Sequence, residues 1–182
     1  MPVKMRLSDY VQESFQIFKA SPLTSIVCGL LAGVPFLGSI VVVNYLTCVK
    51  KARVEGGSIK LEDLLNFDHF VDKFVGHLLV WIGFCFCFIP GLLIFFALPI
   101  LADKPETPFM DAIKGSFAFS KGNIVPLLIL AITMSFVGSV GILACGFGML
   151  VTIPMSWTIL FLAYDDHRDA VTAAAVESGV AL

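Results

Sequence analysis

The chain predicts an all-α integral membrane protein, with about six hydrophobic helices in three hairpins and three amphipathic interfacial helices. Three observations lead there. Asp, Glu, Lys and Arg are absent from 20–49, 74–102 and 122–164, which together make up more than half of the 182 residues. A segment that opens on Asp and closes on Lys ten positions later precedes each stretch. Each stretch also carries a helix breaker near its middle. A water-soluble helix keeps charge on its solvent face. These stretches instead exceed the roughly 18 apolar residues of a spanning candidate, and a charge at mid-bilayer costs about 2.5–3.5 kcal/mol.

Composition narrows the class. Hydrophobic residues make up 58% of the chain and charged ones 14%, against roughly 45–50% and 25% in soluble domains. The net charge of −2 offers no basic surface for nucleic acid. No linker divides 1–182, so a single membrane domain is expected. Residues 1–19 lack the apolar core of a cleavable signal peptide, which leaves the first uncharged stretch as an uncleaved insertion signal.

The elements follow in order. In 7–19, Leu7, Tyr10, Val11, Phe15 and Phe18 recur at helical spacing and make one apolar face. Asp9 near the start and Lys19 at the end suit the helix dipole. Ser21-Pro22 reads as an N-cap followed by proline at the first helical position, opening hairpin 20–49 with a break at Gly33-Val-Pro35. Segment 60–73 repeats the amphipathic design from Asp63 to Lys73 and leads into hairpin 74–102, broken at Pro90-Gly91. Segment 108–121, capped by Thr107-Pro108, runs from Asp111 to Lys121 into hairpin 122–164, whose turn falls at 138–141. The position two after each Asp is Val11, Leu65 or Ile113, and the position five after it is Ser14, Asp68 or Ser116. This phasing marks a degenerate internal repeat of the kind found in many membrane proteins. The Ala-rich tail, 165–182, is a short or frayed helix.

Charges choose between two topologies. If 20–49 and 74–102 were single spans, the five positives of 50–73 would face away from the other seven. If all three stretches are hairpins, all twelve positives face one side together with both termini. The positive-inside rule favours the hairpins, with that side the cytoplasm. The first two hairpins have limbs of about 14 residues, near 21 Å, against a hydrocarbon core of about 30 Å. Turns 33–38 and 88–92 would lie within the far leaflet and must pack against the third hairpin or a second subunit. Gly29, Gly33 and Gly38, with Gly138, Gly141, Gly146 and Gly148, would permit the close approach.

No catalytic, cofactor-binding or metal-binding residues are legible. His69 and Asp68 fall in the second amphipathic segment, and His77 eight positions on. No third ligand has fitting spacing, so these are read as interfacial histidines. Cys85-Phe-Cys87 would point its thiols about 200° apart on a helix. With Cys28, Cys48 and Cys145 they read as small hydrophobes. The 138–148 glycines are a turn and packing surface rather than a phosphate loop. Inside the stretches the polar content is sparse. Asn44 reads as an interhelical hydrogen-bonding residue, and Tyr45, Tyr164, Trp81 and Trp157 as an aromatic belt. The lack of intramembrane charge argues against proton coupling.

Several short motifs occur together: Ile89-Pro-Gly-Leu-Leu-Ile, Ala102-Asp-Lys, Ala112-Ile-Lys-Gly-Ser116, Lys121-Gly-Asn123, Ile153-Pro154 and Ala163-Tyr164. On these, 45–165 resembles a broad group of uncharacterised multi-pass bacterial inner-membrane proteins. That group is similar in pattern to the membrane domain fused to some glycerophosphodiester phosphodiesterases. The resemblance implies a Pro-Gly helix break, a cytoplasmic Ala…Ser helix and a final hairpin ending in Tyr. It implies no activity and no catalytic residues. The expected role is a non-enzymatic structural, assembly or membrane-organising component whose partners are membrane lipids and a second copy or a membrane complex. The alternative is a passive transporter or pore for a small molecule or lipid.

Overall fold

The computed structural model describes residues 3–34, 37–56, 58–86, 88–143, 148–180 and 182. Pro35, Cys87, Cys145 and Gly146 lie outside the described residues, as do the side chains of Trp81 and Cys85. Among the described residues the chain is all-helical. Helix α1 (Leu7–Ala20) breaks at Ser21 into α2 (Pro22–Ala32), the two axes 104° apart. Helix α3 (Leu37–Glu55) runs back along α2. A 3-10 turn, Glu62–Leu65, and a loop then lead to α4 (Phe70–Phe86). Short helices α5 (Phe88–Leu93) and α6 (Ala97–Asp103) return toward the start of α4. Helix α7 (Phe109–Ser120) precedes the long hairpin of α8 (Ile124–Leu143) and α9 (Met149–Asp166). Helix α10 (Arg168–Glu177) packs on α7 through Val171 and Ala175.

Within the uncharged stretches α2 packs on α3, α4 on α5 and α6, and α8 on α9, but two of the expected breakers do not interrupt a helix. Pro90 and Gly91 lie inside α5. Pro90 is the third residue of α5, where a missing N–H has no intrahelical acceptor to lose. Gly138 and Gly141 lie inside α8, which runs on to Leu143. Gly141 is a contact rather than a bend, because a Cβ there would strike Thr152 Oγ1 and the backbone at Gly148–Met149. The amphipathic helix expected over 60–73 does not form. Asn66 Oδ1 accepts the Asp68 N–H at 2.8 Å, a local turn that competes with helix. Helix α4 then begins only at Phe70.

Two capping expectations also change. Ser21 holds the N-cap position of α2, but its hydroxyl accepts the Ile59 N–H at 2.7 Å instead of capping the helix. Pro108 rather than Thr107 occupies the cap of α7, and Asp72 of α4 accepts the Phe109 N–H at 3.1 Å. An acceptor from a neighbouring helix thus satisfies one of the open donors of the first turn.

The core lies where α3, α6 and α9 meet. Every residue of α6 is buried, as is α3 from Ile40 to Leu46. Phe96 stacks on Phe119 at 5.5 Å and meets Tyr164 edge-on at 6.0 Å. Tyr45 and Tyr164 are about 1% exposed. They belong to this core rather than to an aromatic belt, with Tyr45 bonded to Ser25 and Thr158. In α1, Tyr10 and Ser14 are buried and Leu7 and Val11 pack on the core, while Phe15 faces outward under Lys19.

One helix among the described residues is long and apolar enough to cross a membrane, over Ile124–Ile142; the bent pair α1–α2 passes only when counted as one. Helix α8 turns Val125, Ile129, Ile132, Phe136 and Ile142 outward. Leu23 and Leu30 of α2, Leu78 and Ile82 of α4, and Ile89 of α5 are exposed as well. Of the turns expected to be covered, Gly33 and Val34 are exposed, whereas Gly91 and Leu92 are buried where α5 meets α4 and α8.

Hairpin 20–49 is anchored by Gly29, where a Cβ would come within 2.7 Å of the Leu150 carbonyl oxygen. Backbone cannot swing aside as a side-chain tip can. Gly29→Val is therefore expected to cost about 1–3 kcal/mol through overpacking, read as a lower midpoint in thermal unfolding of the detergent-solubilised protein. Gly33→Ala is the control: its Cβ meets nothing closer than 3.7 Å, and its midpoint should stay within about 2 °C of the parent's.

Candidate functional site

Two polar assemblies lie at the end where the hairpins begin and return. The first is a lattice of ion pairs. Arg53, near the C-terminus of α3, reaches Glu13 Oε1 at 2.9 Å, Asp165 Oδ2 at 2.6 Å and Asp166 Oδ1 at 2.9 Å. Arg6 also pairs with Asp166. Beside it, the buried Asp103 carboxylate binds Lys50 Nζ at 2.7 Å and Arg168 Nη2 at 3.1 Å, and accepts the Tyr164 hydroxyl at 2.9 Å. The Val3 N–H donates to Asn123 Oδ1 at 3.0 Å. The N-terminal segment, the end of α3, the end of α6, the start of α8 and the α9–α10 junction thus share one end of the molecule. Lys50 and Arg53 thus lie at the same end as Glu13, Asp103 and Asp166.

Electrostatics at this lattice are uneven. Burial pushes the Asp166 carboxyl up, but hydrogen bonds from Arg6 and Arg53 outweigh it and hold the group below the usual carboxylate range. For Arg53, burial works against the charge, while Asp166, Glu13 and Asp165 more than restore it and raise its pKa.

The second assembly is a cleft of about 240 Å³. Helix α3 supplies Asn44, Thr47, Cys48 and Lys51, spaced at i, i+3, i+4 and i+7 and so on one face. The 62–69 segment supplies Asp63, Asn66, Asp68 and His69; α4 supplies Lys73; the α6–α7 loop supplies Pro105 and Glu106. Asn44 organises the floor. Its Nδ2 donates to the Leu64 carbonyl at 2.9 Å and the Asn66 carbonyl at 2.7 Å, and its Oδ1 accepts Lys73 Nζ at 2.7 Å. Lys73 is only 6% exposed. Its other acceptor is the Asn66 carbonyl at 3.4 Å, and no carboxylate within 4.0 Å pairs with it among the described residues. Burial lowers its pKa, and Asp68 acts in the opposite direction. His69, on the rim, has φ 55°, a left-handed conformation unfavourable for a non-glycine residue. Its Nε2 lies 3.5 Å from Glu106 Oε1.

The histidines do not act together. His69 faces Glu106, whereas His77 lies against Trp157, ring centroids 6.1 Å apart. Among the described residues no three His, Cys, Asp or Glu converge as metal ligands. Cys28 and Cys48 are buried free thiols. Asn44 does join α3 to α4, through Lys73. In the sequence Lys73 is only a positive charge flanking an uncharged stretch, and its pattern does not show the burial. Its one visible signal was a position directly beside the uncharged stretch.

The motif residues also have visible work. Ser116 accepts the Phe96 N–H and donates to the Leu93 carbonyl, closing the gap between α5 and α6. Asp103, Asn123 and Tyr164 tie helix ends as described above. Compared with known proteins, the chain matches no family model, no curated protein and no solved structure.

Proposed function

We propose that this chain is an integral protein of a bacterial inner membrane, non-catalytic, that organises the bilayer or assembles with other membrane components. The observation that carries the reading is the outward surface of α8, about 30 Å long at 1.5 Å per residue. It is uncharged, and Phe136 and Val125 are 71% and 66% exposed. Contiguous apolar patches of this kind are rare on soluble monomers. Helix α2, eleven residues and about 16 Å long, reaches only part-way into a bilayer. Helix α1, set crosswise to α2 with Phe15 outward, suits the headgroup level. Short wedges on one leaflet together with a full hairpin favour one-sided insertion, the arrangement that bends membranes. The resemblance to multi-pass inner-membrane proteins agrees with the reading.

Two measurements test it. Membranes from expressing cells are washed with alkaline carbonate, and the protein should stay in the pellet; release to the supernatant would refute integral insertion. Purified protein is then reconstituted and the vesicles imaged. Tubules or smaller vesicles that retain a trapped dye are the expected result. Vesicles of unchanged size that leak the dye would replace the organising role with a passive pore.

A further inference from the structure

We infer that the cleft between α3, the 62–69 segment and α4 binds a small zwitterion carrying a phosphate and a primary ammonium, the chemistry of a phosphoethanolamine headgroup. The argument begins with Lys73. A buried ammonium normally has a carboxylate beside it. Lys73 has amide and carbonyl oxygens instead, with Asn44 Oδ1 at 2.7 Å and the Asn66 carbonyl at 3.4 Å. These use two of its three N–H donors. The third donor remains for an anion in the cleft that Lys73 lines, with Asp68 offsetting the charge only from beyond ion-pair distance.

A simple anion would be opposed by the rest of the wall. Asp63, Asp68 and Glu106 line the same cleft, so three carboxylates face the two cations Lys51 and Lys73. A simple cation would meet the buried ammonium. A ligand with both charges satisfies both: its oxyanion takes Lys73 and Lys51, and its ammonium takes the carboxylates. Size agrees, since about 240 Å³ is below the roughly 300–1,000 Å³ of pockets for drug-sized ligands. A primary ammonium is favoured over a quaternary one because it can donate charge-assisted hydrogen bonds to the carboxylates. The choice of phosphate over carboxylate rests on the membrane reading, which puts this end of the molecule among headgroups.

The first test needs no bilayer. The protein in uncharged detergent is titrated with O-phosphoethanolamine, inorganic phosphate, ethanolamine and glycine, followed by calorimetry and by amide NMR shifts at Asn66 and His69. Phosphoethanolamine should bind at least about tenfold more tightly than phosphate or ethanolamine alone. Equal affinity for phosphate and phosphoethanolamine, or no shift at these amides, would overturn the site. A preference for glycine would overturn the phosphate assignment. Lys73→Met should abolish binding. Because it also disturbs Asn44, the rim variant Glu106→Gln is read alongside: it should keep the parent's unfolding midpoint and lose several-fold of the preference for phosphoethanolamine over phosphate. An unchanged preference in both Glu106→Gln and Asp63→Asn would contradict the ammonium half of the site.

The second test identifies the source. Free phosphoethanolamine is titrated into protein in nanodiscs of phosphatidylcholine or of phosphatidylethanolamine. Weaker apparent binding in the latter supports a lipid already seated in the cleft; equal binding in both rules out the lipid as occupant. Failure to enter nanodiscs would count against the membrane reading and leave the detergent result standing.

Discussion

Arg53→Leu should be the most damaging single substitution in the chain. The Arg53 guanidinium is the common partner of Glu13, Asp165 and Asp166, and removing it leaves Glu13 without a cation and Asp166 and Asp165 held only by Arg6 and Arg168. Breaking a buried pair by deleting one partner costs about 3–5 kcal/mol. The Arg53 side chain is 22% exposed, so about 2–3 kcal/mol is the better figure, and the thermal midpoint should fall by roughly 5–10 °C. Glu13→Gln should cost much less, because two carboxylates still hold the arginine. A loss below about 0.5 kcal/mol for Arg53→Leu would mean the lattice is a solvated surface array.

The same lattice sets an acid limit. Asp166 titrates lower in the folded protein than unfolded. Its contribution is therefore fully present above the unfolded value of about 3.9 and fades as pH falls through the lower folded value. The parent should lose stability steeply below about pH 4, and the slope should be shallower in Arg53→Leu.

Asn44→Leu has the second-largest expected effect. It removes the donor from the buried Leu64 carbonyl and from the Asn66 carbonyl, which is only partly buried, and the near acceptor from Lys73. Unsatisfied buried groups cost about 1–3 kcal/mol each, more for a charge. A total of about 2 kcal/mol is expected, measured by unfolding in detergent. The pair Asn44→Leu and Lys73→Met should be distinctly less harmful than the two single losses added together, since the double variant leaves no buried ammonium in search of an acceptor. Strict additivity would show that Asn44 and Lys73 are not coupled.

Much of the architecture was legible because charge exclusion is a strong pattern. The paired limbs, helices α1 and α7 and the gathering of basic segments at one end could all be read from it. The break after Gly33 lies where it was expected. The same pattern misleads elsewhere. Lipid and protein core both exclude charge, so α6 and the Ile40–Leu46 face of α3 look like outward spans, yet they are the protein's interior. Glycine is ambiguous in the same way. At Gly83 a Cβ would meet the Gly91 backbone at 3.1 Å, so that pair lets α4 and α5 touch rather than marking a turn. The 60–73 segment kept an apolar periodicity while Asn66 closed a local turn inside it. The cleft was least legible of all. Its chemistry comes from residues far apart in sequence, Asn44, Lys73 and Glu106, which take on meaning only once α3, α4 and the α6–α7 loop are placed together.

The central claim is that every connecting segment lies on one side and every hairpin departs from and returns to it. Side-specific labelling tests this most directly. Lys60→Cys, Lys114→Cys and Glu177→Cys, each exposed, are expressed singly, with the parent chain as background for the native cysteines. Right-side-out and inverted membrane vesicles are then treated with an impermeant maleimide. The account predicts that all three positions label in inverted vesicles and none in right-side-out ones. Labelling of Lys60→Cys from the side opposite to Lys114→Cys and Glu177→Cys would contradict it.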